Sequence, residues 1–369
     1  MNILQRTFYM IIASIFILSA SCRKNPAGFT LPNDPRVYTW TADTLLYYDR
    51  HGIDWATSVF KLWGSSAHDV YAVGYCTDWD GQMYHYNGIT WSPETKVHKV
   101  WNWNIMKDIF GFSEDDVWAA AGGEFGYGES TNWTSQILHF NGSSWEKVFE
   151  SEHDTSWYRV LFSVWGSSPE SIWFGGCYGD MFFWNGTEVK KDSLLFDSNK
   201  YVSNHYVTRF NAIAGYPGKG VYAILSGTKA CRQYLVERKT EGWDIVGGHN
   251  LYSDIWMSPS GRLYTGSIHG VFEWNGSSLV PIYTDIHCTA VFGTDDDHIF
   301  AVGRTADYQY SEIVYYNGHS WHSLPECRMR AVDFFDVWTD VEEVFISGEP
   351  DNEWSTIILH GTMESKENN

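Results

Sequence analysis

Three histidines, His85, His139 and His360, recur at one position of a repeated pattern, where other copies carry Phe183, Glu273 and Tyr315. Imidazole is a common metal ligand, but a metal site needs several ligands converging on one point. Equivalent positions of separate repeats lie apart, so a structural role is expected for all three. Neither H-E-x-x-H nor G-x-S-x-G occurs, and no glycine-rich phosphate loop. Asp78 and Asp80 before Gly81, and the run Asp295 to Asp297, offer carboxylates. A calcium loop needs further spaced oxygens, and turn residues bonding their own backbone account for both groups. Apart from Cys22, the cysteines are Cys76, Cys177, Cys231, Cys288 and Cys327, with no C-x-x-C spacing for zinc or dithiol chemistry. Their odd number leaves at least one thiol unpaired, and buried free cysteines are expected. No metal and no cofactor is implied.

The elements that position these residues are legible in the repeat. Trp63-Gly64-Ser65-Ser66, Asp69 to Gly74, Met83 to Gly88 and Trp91 form the first unit. Equivalents follow around Phe110-Gly111 and Trp145, Trp165-Gly166 and Trp184, Ala214-Gly215 and Trp243, Trp256 and Trp274, Phe292-Gly293 and Trp321, and Trp338 with His360. Each unit holds four short strands. Asn-Gly between the third and fourth strands of five units predicts a two-residue hairpin with positive φ at both residues. Strands such as Val70 to Val73 are apolar throughout, which predicts cover on both faces. Such repeats predict an all-β, seven-bladed propeller with four strands per blade. The seventh unit lacks a fourth strand, and Tyr38 to Thr41 supplies a spare one, so the N-terminal strand is expected to close the ring and remove its edges.

The pattern W-G-S-S-x-x-D-V-W-A-V-G, continued by I-L-H-Y-N-G-x-x-W, resembles a bacterial propeller repeat of exported proteins, loosely similar to kelch and neuraminidase-type propellers. The resemblance covers residues 37–361, implies the propeller fold and carries no assigned chemistry. The Asp-box S-x-D-x-G is absent. Ahead of the repeats stand Arg6, an apolar run from Phe8 to Leu18 too short to span a bilayer, and Ser19-Ala20-Ser21 before Cys22. That segment resembles a bacterial lipoprotein signal, which implies acylation of Cys22 and an outer-membrane lipoprotein of the cell envelope. The expected organisation is a signal peptide over 1–21, a lipidated tether over 22–36, the propeller over 37–363 and a polar tail over 364–369.

The formal charge is −20, and losing a leader whose one charge is Arg6 takes it to −21. Neutralising phosphates needs clustered Lys and Arg, so nucleic acid is excluded as a partner, and the body should not adsorb to anionic lipid. The membrane is reached through the lipid anchor only, and a monomer is expected. In a propeller, loops from second to third strands share a face with loops between blades. The first kind carries Trp79, Tyr127, Trp133, Tyr178, His269, Tyr308 and Trp354 among carboxylates. The second kind carries Trp55, Trp103, Trp157 and Tyr206, with Arg330 in the last unit. Aromatics interleaved with carboxylates suit a glycan, and Trp, Tyr and Arg suit a protein or peptide partner. The plain alternative is that they plug the channel and pack between blades. A non-catalytic binding module is therefore the leading expectation. A glycosidase or polysaccharide lyase is a second, since Asp80, Glu129, Asp180 and Glu353 could pair across the channel, although without a motif. Sialidase-like chemistry would draw on Arg159, Arg304 and Arg330. An envelope assembly scaffold is a third.

Overall fold

The computed structural model describes residues 38–48, 54–55, 57–76, 83–94, 97, 104–125, 132–151, 159–201, 208–227, 232–248, 252–351 and 355–363. Seven antiparallel sheets of four strands succeed one another along the chain. Blade 1 comprises Thr57–Ser66, Asp69–Cys76, Met83–Tyr86 and Trp91–Pro93; blade 2 Asn104–Ser113, Asp116–Phe125, Asn132–Phe140 and Trp145–Glu150. Blade 3 comprises Leu161–Ser168, Ser171–Gly176, Met181–Trp184 and Val189–Lys191; blade 4 Arg209–Tyr216, Gly220–Ser226, Tyr234–Lys239 and Gly242–Gly248. Blade 5 comprises Tyr252–Met257, Leu263–Ser267, Gly270–Trp274 and Leu279–Tyr283; blade 6 Ile286–Asp295, His298–Thr305, Ser311–Tyr316 and Trp321–Ser323. Blade 7 takes Val332–Thr339, Glu343–Pro350 and Thr356–Met363 from the end of the chain and its outer strand, Tyr38–Leu45, from the beginning. The register pairs Tyr38 with Met363 and Leu45 with Thr356. The all-β propeller with its N-terminal closing strand is therefore as expected; the helical elements named among the described residues are one turn, Ser198–Tyr201, and a 3-10 turn, Pro325–Cys327.

The recurring spacing has a packing cause. Val70, Tyr71, Ala72 and Val73 are all buried, because a second strand has a blade on either side. The tryptophan of the Trp-Gly pair packs across to the glycine of the next blade. A Cβ on Gly111 would lie 2.5 Å from the Trp63 ring, and one on Gly64 would lie 2.8 Å from the Trp338 ring. Only a residue without a side chain lets the indole sit there. The Asn-Gly turns differ from expectation in one respect. Gly88, Gly142, Gly186, Gly276 and Gly318 have positive φ, but the preceding asparagines do not. Each asparagine instead accepts two amides with its side chain, as Asn87 does from Ile89 and Thr90, both at 3.0 Å. The side-chain bonds supply what a second left-handed residue would have supplied. Cys177 and Cys288 are buried free thiols, as expected, and Cys327 is buried; the side chains of Cys76 and Cys231 lie outside the described residues.

Candidate functional site

Every innermost strand carries a register shift at the same place, for example between Val59 and Lys61, Met106 and Asp108, and Phe334 and Asp336. Such bulges re-aim the following side chain. Two residues before the Trp or Phe of the Trp-Gly position stand Lys61, Asp108, Asp254 and Asp336. Lys61 Nζ lies 3.0 Å from Asp336 and 3.2 Å from Asp254, although the two partners come from blades 7 and 5. Each carboxylate also ties its blade to the next. Asp108 accepts the Val164 amide at 2.8 Å, Asp254 that of Val291 at 3.2 Å, and Asp336 that of Leu62 at 2.7 Å. Burial opposes the charge on Lys61, but Asp254 and Asp336 overcome it and hold the ammonium protonated. Burial pushes Asp108 up to about 7 and Asp336 up to about 6, in each case against the pull of Lys61. This tier of four residues lines a cavity of about 390 Å³ together with Trp63, Phe110, Trp165 and Trp256, and Pro217 and Pro259 of the plain turns also line it.

The tier predicts a pH dependence. A carboxyl raised above its unfolded value stabilises the fold most below about pH 4, and that contribution is lost as pH rises through the folded value. Asp108→Asn should therefore flatten the fall in stability between pH 4 and 8 by about 2 kcal/mol. Urea unfolding across that range is the check, and an unchanged slope would refute the assignment.

The three histidines serve structure. His85 bonds Asp69 at 2.6 Å, His139 bonds Asp116 at 2.8 Å, and His360 bonds Glu343 at 2.6 Å, each partner lying in its own blade. Each imidazole also stacks on an aromatic residue two positions after its acid: Tyr71, Trp118 and Phe345. Blade 5 makes the same link with the charges exchanged, Arg262 to Glu273 at 2.7 Å. Among the described residues no group of His, Cys, Asp and Glu could hold a metal ion.

On the face of the inter-blade loops, the structure brings four of the residues singled out in the sequence together, His269, Arg304, Tyr308 and Arg330. Tyr308 stacks on His287 at 3.8 Å, and His287 bonds the carbonyls of Ile268, beside His269, and of Ala306. Arg304 bonds the Tyr308 carbonyl at 3.2 Å, Asp351 at 2.7 Å, and Asp333. Arg330 bridges to Tyr310 through the backbone. His269, Tyr308 and Arg330 thus share one patch across blades 5 to 7, with His269 and Arg330 exposed and Tyr308 53% exposed. Tyr178 stands apart on blade 3, under Arg159, whose guanidinium lies 5.5 Å from its ring. Asp180 spends its carboxylate on Arg159 and Lys191. Trp55 lies in the short strand Asp54–Trp55, paired with Tyr47–Tyr48, and Trp133 pairs with Glu124 in blade 2. Trp79, Trp103, Tyr127, Trp157, Tyr206, Trp354 and Cys22 lie outside the described residues, as do Asp80, Glu129 and Glu353. Sequence reasoning missed His287, which lies in a strand rather than a loop, and the whole Lys61 tier.

The fold is that of a seven-bladed β-propeller. No family model matches the chain, and no curated protein matches its sequence. Solved propellers do match it. YCF48 bound to the D1 peptide superposes with a TM-score of 0.61 at 12% identity, over 89% of this chain and 97% of that one. YCF48 from Cyanidioschyzon merolae gives 0.57 at 14% identity, over 86% and 98%. The propeller domain of Cps50 (Swd1) from Myceliophteria thermophila gives 0.52 at 10% identity, over 86% and 99%. At these identities the likeness is one of fold.

Proposed function

We propose that the chain is a non-catalytic binding module of the bacterial cell envelope, anchored by a lipid on Cys22, that presents its elaborated face to a glycan, a peptide or an envelope protein. One observation carries the reading. The three described non-glycine residues with positive φ are Tyr178, Tyr308 and Ala331, and all three lie on that face. Each such residue costs about 1–3 kcal/mol and persists only where the surroundings hold it, which is common at binding sites. Three of the four exposed tyrosines among the described residues, Tyr75, Tyr308 and Tyr310, lie there too. The ion pairs of Asp180 favour binding over acid-base chemistry. YCF48, which shares the fold, is bound to a peptide.

The full-length chain is applied to a glycan array and to an envelope extract. A ligand is expected whose retention falls about ten-fold in Tyr308→Ala, while stability changes by less than about 1 kcal/mol. Retention unchanged in both Tyr308→Ala and Tyr178→Ala would sink the reading.

A further inference from the structure

Two cations, Lys107 and Arg209, approach one aromatic ring on the elaborated face, and among the described residues no carboxylate pairs with either. Lys107 occupies the bulge of blade 2, one residue before Asp108. Its Nζ lies 4.0 Å from the centre of the Phe60 ring and 5.9 Å from that of Phe162. Arg209, which begins the innermost strand of blade 4, sets its guanidinium 4.9 Å from the same Phe162 ring and donates from Nε to Asn211 at 2.7 Å. Phe162 of blade 3 is thus shared by cations from the blades on either side. Both side chains are half-buried. Among the described residues neither makes an ion pair, whereas Arg159 and Arg304 on the same face are paired to carboxylates.

That arrangement is unusual in a chain with 45 acidic and 25 basic residues. Partly desolvated charges are ordinarily paired, and a second charge of like sign near the same ring raises the cost. Burial and the neighbouring Arg209 push the Lys107 amine down to about 8. An anion between the two would offset both effects through charge-assisted hydrogen bonds. We propose that Lys107 and Arg209, backed by Phe60 and Phe162, form a binding site for one oxyanion, a carboxylate or a phosphate group of a ligand that enters the channel from the elaborated face. The site consists of innermost-strand residues and stands whether or not the surrounding loops bind a partner.

The full-length chain, in detergent micelles at low ionic strength, is titrated calorimetrically with inorganic phosphate and separately with acetate. Saturable binding is expected, and the tighter of the two identifies the group recognised. Lys107→Met and Arg209→Met should each weaken it about ten-fold or more, and Lys107→Arg should largely keep it. Lys219→Met, in an exposed turn on the opposite face, should leave it unchanged. Circular dichroism checks that each variant folds; should Lys107→Met not fold, Arg209→Met and Lys107→Arg decide the matter. No saturable heat with either anion, or equal affinity in the folded Met variants, would overturn the proposal.

Discussion

Replacing Lys61 by methionine is expected to destabilise the protein by about 3–5 kcal/mol at pH 7.5, because it leaves buried charges without their partner. Asp254 and Asp336 both bond its ammonium, and Asp108 feels the same charge. Without it, carboxylates from blades 2, 5 and 7 repel one another inside the ring while each still holds an amide of the next blade. The deficit should shrink as pH falls from 7.5 to 5, since protonation then removes the repulsion. Adding Asp254→Asn and Asp336→Asn to Lys61→Met should recover much of the loss at pH 7.5. Urea unfolding at both pH values checks this. A Lys61→Met chain as stable as the parent at pH 7.5 would show that the tier is solvated and indifferent to its charge balance.

Trp40→Ala is expected to cost about 3–5 kcal/mol, the range for truncating a fully buried large side chain. Trp40 is 2% exposed although it lies near the start of the chain. Its ring lies over Gly361, where a Cβ would come within 2.8 Å, and it joins a cluster that contains Phe300, Tyr315, Val344 and Leu359. Removing residues 38–45 altogether goes further. It uncovers Thr356–Met363 as an edge, so aggregation is expected with the loss of stability. Chemical unfolding of Trp40→Ala and light scattering of the deletion measure the two effects. A loss below about 1 kcal/mol for Trp40→Ala would mean that the strand is an ornament on an already complete ring.

The propeller was legible because its signals are local and repeated: Trp-Gly, Asn-Gly, a strand missing at one end and present at the other. The faces followed from that, and with them the setting of Tyr178, Tyr308, His269 and Arg330. The Lys61 tier was not legible in the same way. Lys61-Leu62-Trp63, Asp108-Ile109-Phe110 and Asp336-Val337-Trp338 look like polar strand ends until a bulge and the closure of the ring turn them toward one another. A column of acids two places before the aromatic residue was the available signal. The loop geometry was hidden for a different reason: no periodicity constrains a loop, and the positive φ of Tyr308 depends on contacts with His287 and Arg304 from other strands.

The closing strand also dictates the order in which the molecule can be completed. Trp40 leaves the ribosome among the earliest residues of the ring, yet Gly361, the residue it faces in the strand register, is among the last. Six blades can condense from neighbouring segments of chain, while the seventh waits for the two ends to find each other. Loop-closure entropy makes such distant pairings slow. Refolding should therefore end in a late phase that buries the Trp40 indole, with an open arc as the species that precedes it.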